Sequence, residues 1–177
     1  MDSFRAIMKR KTKIELADGY EQLRPFVEQV AAGIEGGRVL CNRRNLIRRF
    51  TVEGMSVVVK QFARPNAINR LVYSLLRKSK AARTMSIGRR LLRCGINTPL
   101  PLAYVDTYDR FGLYDVGYSV TLYDDSSDLD VWRTMSREEQ QQLVAGLAEF
   151  TARMHLAGFV HHDYHEGNIF YRQTDEG

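Results

Sequence analysis

Apolar side chains near the N-terminus recur at helical spacing, which predicts an amphipathic helix that ends before a glycine pair. The residues of this stripe are Tyr20, Leu23, Phe26, Val27, Val30 and Ile34. Residues 38–41, 46–52 and 55–62 then favour strands, because they are rich in β-branched and aromatic residues bounded by turn signals. The unbroken run Val57–Val59 is typical of a strand buried on both faces.

Two helical segments follow, over residues 66–77 and 80–94. Gly95 is a natural helix end, and the prolines after it prevent the helix from resuming. Residues 102–107 and 112–123 again favour strands, joined by a short turn. The first two thirds of the chain therefore combine strands with a few helices.

Ser136 and Glu139 form a capping box, which predicts the start of the clearest helix in the chain. Its apolar stripe fits a packed core and consists of Leu143, Leu147, Phe150 and Met154. An acidic connector precedes this helix and contains Asp124, Asp125, Asp128 and Asp130. Strands segregated from a long helix indicate an α+β protein. We predict a β-rich N-terminal lobe with two helices over residues 1–125, and the start of a helical lobe over residues 126–177.

The net charge of +5 is unevenly distributed along the chain. Residues 1–100 hold 21 Lys and Arg against 7 Asp and Glu, whereas residues 101–177 hold 5 against 14. No carboxylate occurs between Glu53 and Asp106, although that stretch contains ten Lys and Arg. Such a segment attracts polyanions, namely a nucleotide, a phosphorylated glycolipid, an anionic membrane face or a nucleic acid. A solvated basic face is the alternative for any single side chain.

The composition argues against several classes of protein. An apolar content of 44% with 10% aromatic residues is that of a globular chain and not of a disordered one. No apolar run reaches the ~18 residues of a membrane span, and residues 1–13 lack the apolar core of a signal peptide. Cys41 and Cys94 have no metal-ligand spacing and fit reduced thiols of a cytosolic protein.

The octet His161–Asn168, which reads HHDYHEGN, carries the strongest chemical signal. Asp163 and Asn168 stand five positions apart after a helix, as in the catalytic loop of kinase-like phosphotransferases. In such loops the Asp accepts the proton of the attacking hydroxyl, and the Asn offers an oxygen to a magnesium ion. A lone loop Asp could be a turn former, but His161 before it and an apolar segment over 169–171 after it favour phosphotransfer.

Lys60 directly follows the three valines, and a kinase needs one Lys that projects from a buried strand to the ATP phosphates. It precedes Asp163 by 103 residues, in the expected order. A strand-end lysine that protects a sheet edge is the alternative. A phosphate-covering loop is weakly indicated by glycines before the predicted hairpin, which turn formation explains equally well; these are Gly33, Gly36 and Gly37.

A transition-metal site is a second interpretation of the octet. His161, His162, Asp163 and His165 are zinc or iron ligands by type. Adjacent ligands rarely converge on one ion, however, and the sequence contains no second histidine cluster and no H-E-x-x-H helix. Phosphotransfer is therefore favoured over metal-dependent hydrolysis.

Five segments together resemble the Kdo/WaaP lipopolysaccharide kinase family. They are Arg44–Leu46, Val57–Phe62, Ser79–Arg83, Gly95–Pro99 and Phe159–Ile169. The resemblance implies a protein-kinase-like fold, with ATP and Mg²⁺ as cofactors. It also implies transfer of the γ-phosphate to a sugar hydroxyl of the lipopolysaccharide inner core, Kdo or heptose, at the cytoplasmic face of the inner membrane.

The same resemblance implies a role for each site residue. Lys60 would contact the ATP phosphates, Asp163 would be the catalytic base, Asn168 a magnesium ligand, and His161 the organiser of the catalytic loop. The predicted helix over 80–94 contains no acid to pair with the lysine, and a serine lies near the expected position. The family's second magnesium-binding Asp is expected beyond the last residue, so the chain is expected to be truncated relative to its family.

Other functions remain alternatives. A pseudokinase or truncated remnant would bind nucleotide or partners without turnover. A kinase of protein or of other small molecules, like the aminoglycoside and choline kinase group, would share the same loop pattern. We expect no nucleic-acid partner, because no recognised binding motif accompanies the basic half. The acid-free stretch between Glu53 and Asp106 is the expected place of peripheral contact with an anionic membrane.

Overall fold

The computed structural model describes residues 11–33 and 35–172. The chain divides into two compact units. The first comprises residues up to Leu92 and Thr98–Tyr123, and the second comprises Arg93–Asn97 and the residues from Asp124. The mixture of an antiparallel sheet with helices is the α+β architecture that the sequence predicts. The predicted division into an N-terminal lobe over residues 1–125 and a helical lobe from residue 126 stays a prediction.

The strands of the first unit form one six-stranded antiparallel sheet in the order β1-β5-β6-β4-β3-β2. The strands are β1 Thr12–Leu16, β2 Arg38–Asn42, β3 Leu46–Val52, β4 Met55–Gln61, β5 Pro101–Tyr108 and β6 Tyr114–Leu122. The helices of this part of the chain are α1 Arg24–Gly33, α2 Ala67–Leu75 and α3 Lys80–Arg93. The hydrophobic pattern predicts all of them except β1, which pairs with β5.

One face of the sheet is covered by α1. The apolar stripe of this helix packs on side chains of the central strands, and Phe26 meets Phe50 edge-to-face with ring centroids 5.3 Å apart. The fully enclosed side chains of this core are Leu23, Val27, Val30, Val57, Leu102, Val105 and Val120. Ile34, the last residue of the predicted stripe, lies outside the described residues.

The other face of the sheet is covered by α3. Ala81, Ala82 and Met85 of this helix cluster with Phe62 and Tyr104. Helical spacing places these three helix residues on one side, so α3 buries a narrow stripe of small and flexible side chains.

The burial of β4 differs between its two faces. Val57 and Val59 point toward α1 and are buried, whereas Val58 points to the opposite face and is half-buried. The prediction of a strand fully buried on both faces is therefore wrong for Val58. The valine run reflects enclosure by α1, and the α3 face keeps room for polar side chains.

The start of α3 is fastened to β5 by a buried polar contact. Ser79 caps the helix by accepting the Ala82 N–H at 3.0 Å, and its hydroxyl side chain lowers the pKa of the neighbouring Asp106. Asp106 is 3% exposed, and its Oδ1 has no hydrogen-bond partner within the described chain. Burial raises the pKa of Asp106 to about 6, against the opposing effects of Ser79 and Lys13.

Gly117, which stands opposite Asp106 on β6, leaves space for this contact. A Cβ atom at Gly117 would lie 2.3 Å from the Tyr114 hydroxyl oxygen and 3.1 Å from Asp106 Oδ1. Any side chain at this position would therefore displace the polar groups around the carboxyl.

The second unit is built on the long helix α4, Arg137–Leu156, whose capping box forms as predicted between Ser136 and Glu139. Leu143 and Met154 of its apolar stripe are buried. The two-residue strands β7, Ser127–Asp128, and β8, Phe170–Tyr171, pair with each other. None of the described helices has the length and apolar composition that crossing a membrane requires.

Candidate functional site

The loop that carries Asp163 and Asn168 follows directly from α4. The helix ends at Ala157, and Gly158 turns the chain with a φ of +79°, a conformation that glycine adopts without strain. A short 3₁₀ turn over Glu166–Asn168 then leads into β8. The loop is mostly solvent-exposed, so its side chains are accessible to a substrate.

Asn168 is hydrogen-bonded to Asp163 at two points. Its Nδ2 donates to the Asp163 carbonyl oxygen at 2.8 Å and to the carboxylate Oδ2 at 3.0 Å. Because the two polar atoms of an amide diverge from the same carbon, these bonds turn Asn168 Oδ1 away from the carboxylate. An amide oxygen is a suitable ligand for a hard cation such as Mg²⁺. The structure thus brings together the predicted base and the predicted metal ligand.

His161 holds the backbone of the loop. The Asp163 N–H donates to His161 Nδ1 at 3.2 Å, so the neutral imidazole carries its proton on Nε2. Its ring lies 5.8 Å from that of Tyr164, whose hydroxyl contacts Thr151 Oγ1 on α4 at 2.6 Å. These contacts connect the loop to the helix and suit an organising role for His161, which stays a prediction.

His165 also faces the carboxylate. Its Nδ1 accepts the Gly167 N–H at 3.1 Å, and its Nε2 lies 3.0 Å from Asn168 Nδ2 and 3.8 Å from Asp163 Oδ1. Among the residues described, no group of three or more His, Cys, Asp and Glu side chains could hold a metal ion. The histidines thus contact the loop itself, and nothing in their geometry favours a transition-metal site.

Lys60 lies in the first unit, near the end of β4. It pairs with Ile47 on β3 and with Ser119 on β6, which itself pairs with Tyr104. Residues directly opposite in an antiparallel pair project to the same face, so Lys60 is on the side of the sheet covered by α3. The half-buried lysine places its Nζ 5.4 Å from the ring centroid of Phe62.

The residues of α3 that face the sheet are Ala81, Ala82, Met85 and Gly88. The neighbouring Ser86, near which a kinase glutamate is expected, is half-buried. Strand pairing places Glu15 and Asp106 on the same sheet face as Lys60, with Glu15 bonded to Arg89 at 2.6 Å. The carboxylates of this face therefore come from strands and not from the helix.

The turn between β2 and β3 contains two arginines that the sequence did not single out as candidate site residues. Leu46 pairs with Gln61, so this turn lies beside the Lys60 end of β4. Asn45 Oδ1 accepts the Ala63 N–H at 3.2 Å and fastens the turn there, with Arg43 and Arg44 exposed. Two adjacent arginines in a predicted hairpin turn are the signal that could have identified them.

The predicted glycine loop is not at this turn. Gly36 and Gly37 precede β2 at its other end, and a Cβ at Gly37 would come within 2.5 Å of the Phe50 ring. Both have positive φ. They shape the entry into β2, as turn formation predicts, and their weakly indicated contact with phosphates stays a prediction.

Comparisons with known proteins identify the family and the fold of the chain. A sequence model of the lipopolysaccharide kinase (Kdo/WaaP) family matches residues 41–177. The fold is similar to a solved structure of WaaP in complex with acyl carrier protein, at a TM-score of 0.53 and 21% identity. That match covers 81% of this chain and 56% of the WaaP chain, and it confirms the predicted protein-kinase-like fold. No curated protein matches the sequence.

Proposed function

Because the chain belongs to the lipopolysaccharide kinase (Kdo/WaaP) family, we propose that it transfers the γ-phosphate of ATP to a sugar hydroxyl of the lipopolysaccharide inner core, Kdo or heptose. The observation that carries the proposal is the double hydrogen bond from Asn168 to Asp163. The match covers 56% of the length of the solved WaaP chain. The activity of the whole protein is therefore also something that we propose. We also propose that it acts at the cytoplasmic face of the inner membrane.

Asp163 is proposed as the group that receives the substrate hydroxyl. Its carboxylate is exposed, and the bond from Asn168 engages Oδ2, so Oδ1 remains able to accept the hydroxyl hydrogen. Holding that hydroxyl in line with the γ-phosphate supplies most of the catalytic advantage in phosphoryl transfer, and taking its proton completes the reaction. His161 holds the Asp163 backbone and hence the direction of its side chain.

Asn168 is proposed to hold magnesium through Oδ1. When bound with ATP, the ion neutralises charge on the phosphate oxygens. Magnesium usually keeps several waters and takes one or two protein ligands together with phosphate oxygens. A single amide ligand from the described chain fits that pattern. The Nδ2 bonds to Asp163 fix the amide plane and so hold Oδ1 in one direction.

Lys60 is proposed to contact the ATP phosphates. It projects from the α3 face of β4, and the turn with Arg43 and Arg44 lies beside the same strand end. Three cations close to one strand end make an anion site that does not need a glycine-rich loop. This arrangement also supports a nucleotide as the polyanion that the basic half of the chain attracts.

We expect Lys60→Met to raise the KM for ATP. Loss of one charged hydrogen bond should lower kcat/KM roughly 10- to 100-fold, because such bonds contribute about 1.5–3 kcal/mol. Methionine keeps the length of the side chain, so the sheet should stay folded. Steady-state kinetics over a range of ATP concentrations measures the effect, and Lys11→Met, which removes an exposed lysine, is the control. An unchanged KM for ATP would exclude Lys60 from the nucleotide site.

The proposed function is tested by supplying the protein with magnesium-ATP and several acceptors. Core oligosaccharide that ends in Kdo or heptose should gain phosphate, as detected by mass spectrometry. Serine-containing peptides, aminoglycosides and choline should not. ATP binding without transfer to any acceptor would instead support the non-catalytic alternative. Because the solved WaaP is in complex with acyl carrier protein, we propose that the assay be run with and without such a carrier.

A further inference from the structure

Helix α2 turns its polar side toward the protein. Arg70 donates from Nε to the Tyr114 carbonyl oxygen at 2.7 Å and pairs with Asp109 at 2.5 Å. Ser74 accepts the Tyr114 N–H at 2.8 Å, and Tyr73 stacks edge-to-face on the Tyr114 ring at 5.4 Å. Polar and aromatic contacts therefore attach this helix to β6 and to the turn before it.

The aliphatic side of the same helix faces solvent. Its side chains are 75% exposed at Ile68, 50% at Leu71, 72% at Leu75 and 84% at Leu76. Spacings of three and four residues place Ile68, Leu71 and Leu75 on one side of the helix. All residues of α2 are described, and none is buried. Soluble proteins rarely leave such a contiguous aliphatic patch uncovered, so the patch indicates a binding surface.

Cations border this aliphatic patch. Arg77 and Lys78 follow the helix directly, and both are exposed. No carboxylate occurs in the sequence between Glu53 and Asp106, so no acid in this stretch offsets them. A partner that is complementary to this side of α2 must therefore offer an apolar region for the aliphatic side chains and negative charge for Arg77 and Lys78.

We propose that α2 docks this protein on a bilayer that contains anionic lipid. The docking face consists of Ile68, Leu71, Leu75, Leu76, Arg77 and Lys78. Interfacial helices bury aliphatic side chains at the boundary between headgroups and acyl chains, while Lys and Arg meet the anionic headgroups. Protein interfaces are instead enriched in aromatic residues, which the exposed side of α2 lacks. Membrane docking by α2 does not depend on kinase activity, so its test is independent of the test of the proposed function.

Vesicle co-sedimentation tests this docking face without any enzyme assay. The wild-type protein should bind vesicles of phosphatidylethanolamine with phosphatidylglycerol, and bind pure phosphatidylcholine much less. Leu71→Ser with Leu75→Ser should reduce the binding constant for the anionic vesicles at least about tenfold, since two buried aliphatic side chains are lost. Arg77→Gln with Lys78→Gln should reduce it too, and should weaken its dependence on salt.

A matched control is available in the same unit. Val39→Ser with Leu40→Ser removes two exposed aliphatic side chains from β2 and should leave vesicle binding unchanged. Because the substituted α2 side chains are exposed, the variants should keep the wild-type circular dichroism spectrum. Three results would overturn the proposal: no vesicle binding by the wild type, equal binding by the α2 variants, or a dimer that the α2 leucine substitutions dissociate.

Discussion

Replacing Asp163 with Asn should lower kcat for phosphate transfer by ~10²- to 10⁴-fold, the usual contribution of a general base. Asparagine keeps the shape of the side chain but cannot take up the proton of the attacking hydroxyl. The bond from Asn168 to the backbone oxygen of residue 163 remains possible, so the loop should stay in place. The KM for ATP should change little, because Asp163 is proposed to act on the acceptor and not on the nucleotide.

Glu166→Gln is the control for this experiment. It removes a carboxylate from the same loop, three residues away, without touching the bonds between Asp163 and Asn168. ATP binding measured by calorimetry shows whether the Asp163→Asn protein still forms its nucleotide site. If Asp163→Asn transfers phosphate at the wild-type rate, the base assignment is wrong whatever the acceptor proves to be.

Replacing Asp106 with Asn should stabilise the protein at neutral pH. Burial holds the pKa of Asp106 at about 6, against an ordinary value of 3.8, because the enclosed carboxyl disfavours its charged form. The folded protein is therefore more stable when the Asp106 carboxyl is protonated than when it is charged. This contribution is fully present below pH ~4 and is lost as the pH rises through about 6. The shift corresponds to about 3 kcal/mol, which is the upper limit for the gain from asparagine.

Urea unfolding at several pH values measures this effect. The advantage of Asp106→Asn should be largest above pH ~6 and should vanish near pH ~4, because the wild-type carboxyl is then neutral as well. Asp18→Asn, at an exposed carboxylate, is the control. Ser79→Ala should instead destabilise the protein by about 1 kcal/mol, since it removes the cap of α3. A constant advantage of Asp106→Asn across the pH range would show that burial of the charge is not the cause.

Local signals in the sequence predicted what depends on local interactions. The capping box at Ser136, the helix end at Gly158 and the loop from His161 to Asn168 are each satisfied by residues within a few positions. Strand β1 was missed because its five residues become a strand only by pairing with β5, about ninety positions away. The pattern of these five residues does not identify β5 as their pairing partner.

Strand register explains why the positions of Arg43, Arg44 and Lys60 were not predicted. The position of Arg43 and Arg44 beside β4 follows from the pairing of Leu46 with Gln61, and the location of Lys60 on the α3 face follows from its pairing with Ser119. A shift of one residue in the strand pairing would move Lys60 to the opposite face of the sheet. The three valines before Lys60 do not alternate with polar residues, so the sequence does not decide which face Lys60 lies on.

Helix α2 shows a further limit of hydrophobic periodicity. The sequence predicts a helix over residues 66–77, and the structure contains α2 within that range. The pattern does not state what covers the apolar side, and core is the usual answer. Here the inner side is instead held by Arg70, Tyr73 and Ser74, whose partners lie some forty positions away on β6 and the turn before it.

Gly117 on β6 leaves no room for a side chain. Any larger residue there would have to move the Tyr114 hydroxyl, and Tyr73 of α2 packs on the Tyr114 ring. A substitution at this interior position would thus affect the packing of the exposed helix α2. Gly146 on α4, where an added methyl group meets open space, is free to vary by contrast. Because Arg70 and Ser74 bond to the Tyr114 backbone, a substitution at position 117 is expected to disturb the ring contact with Tyr73 first.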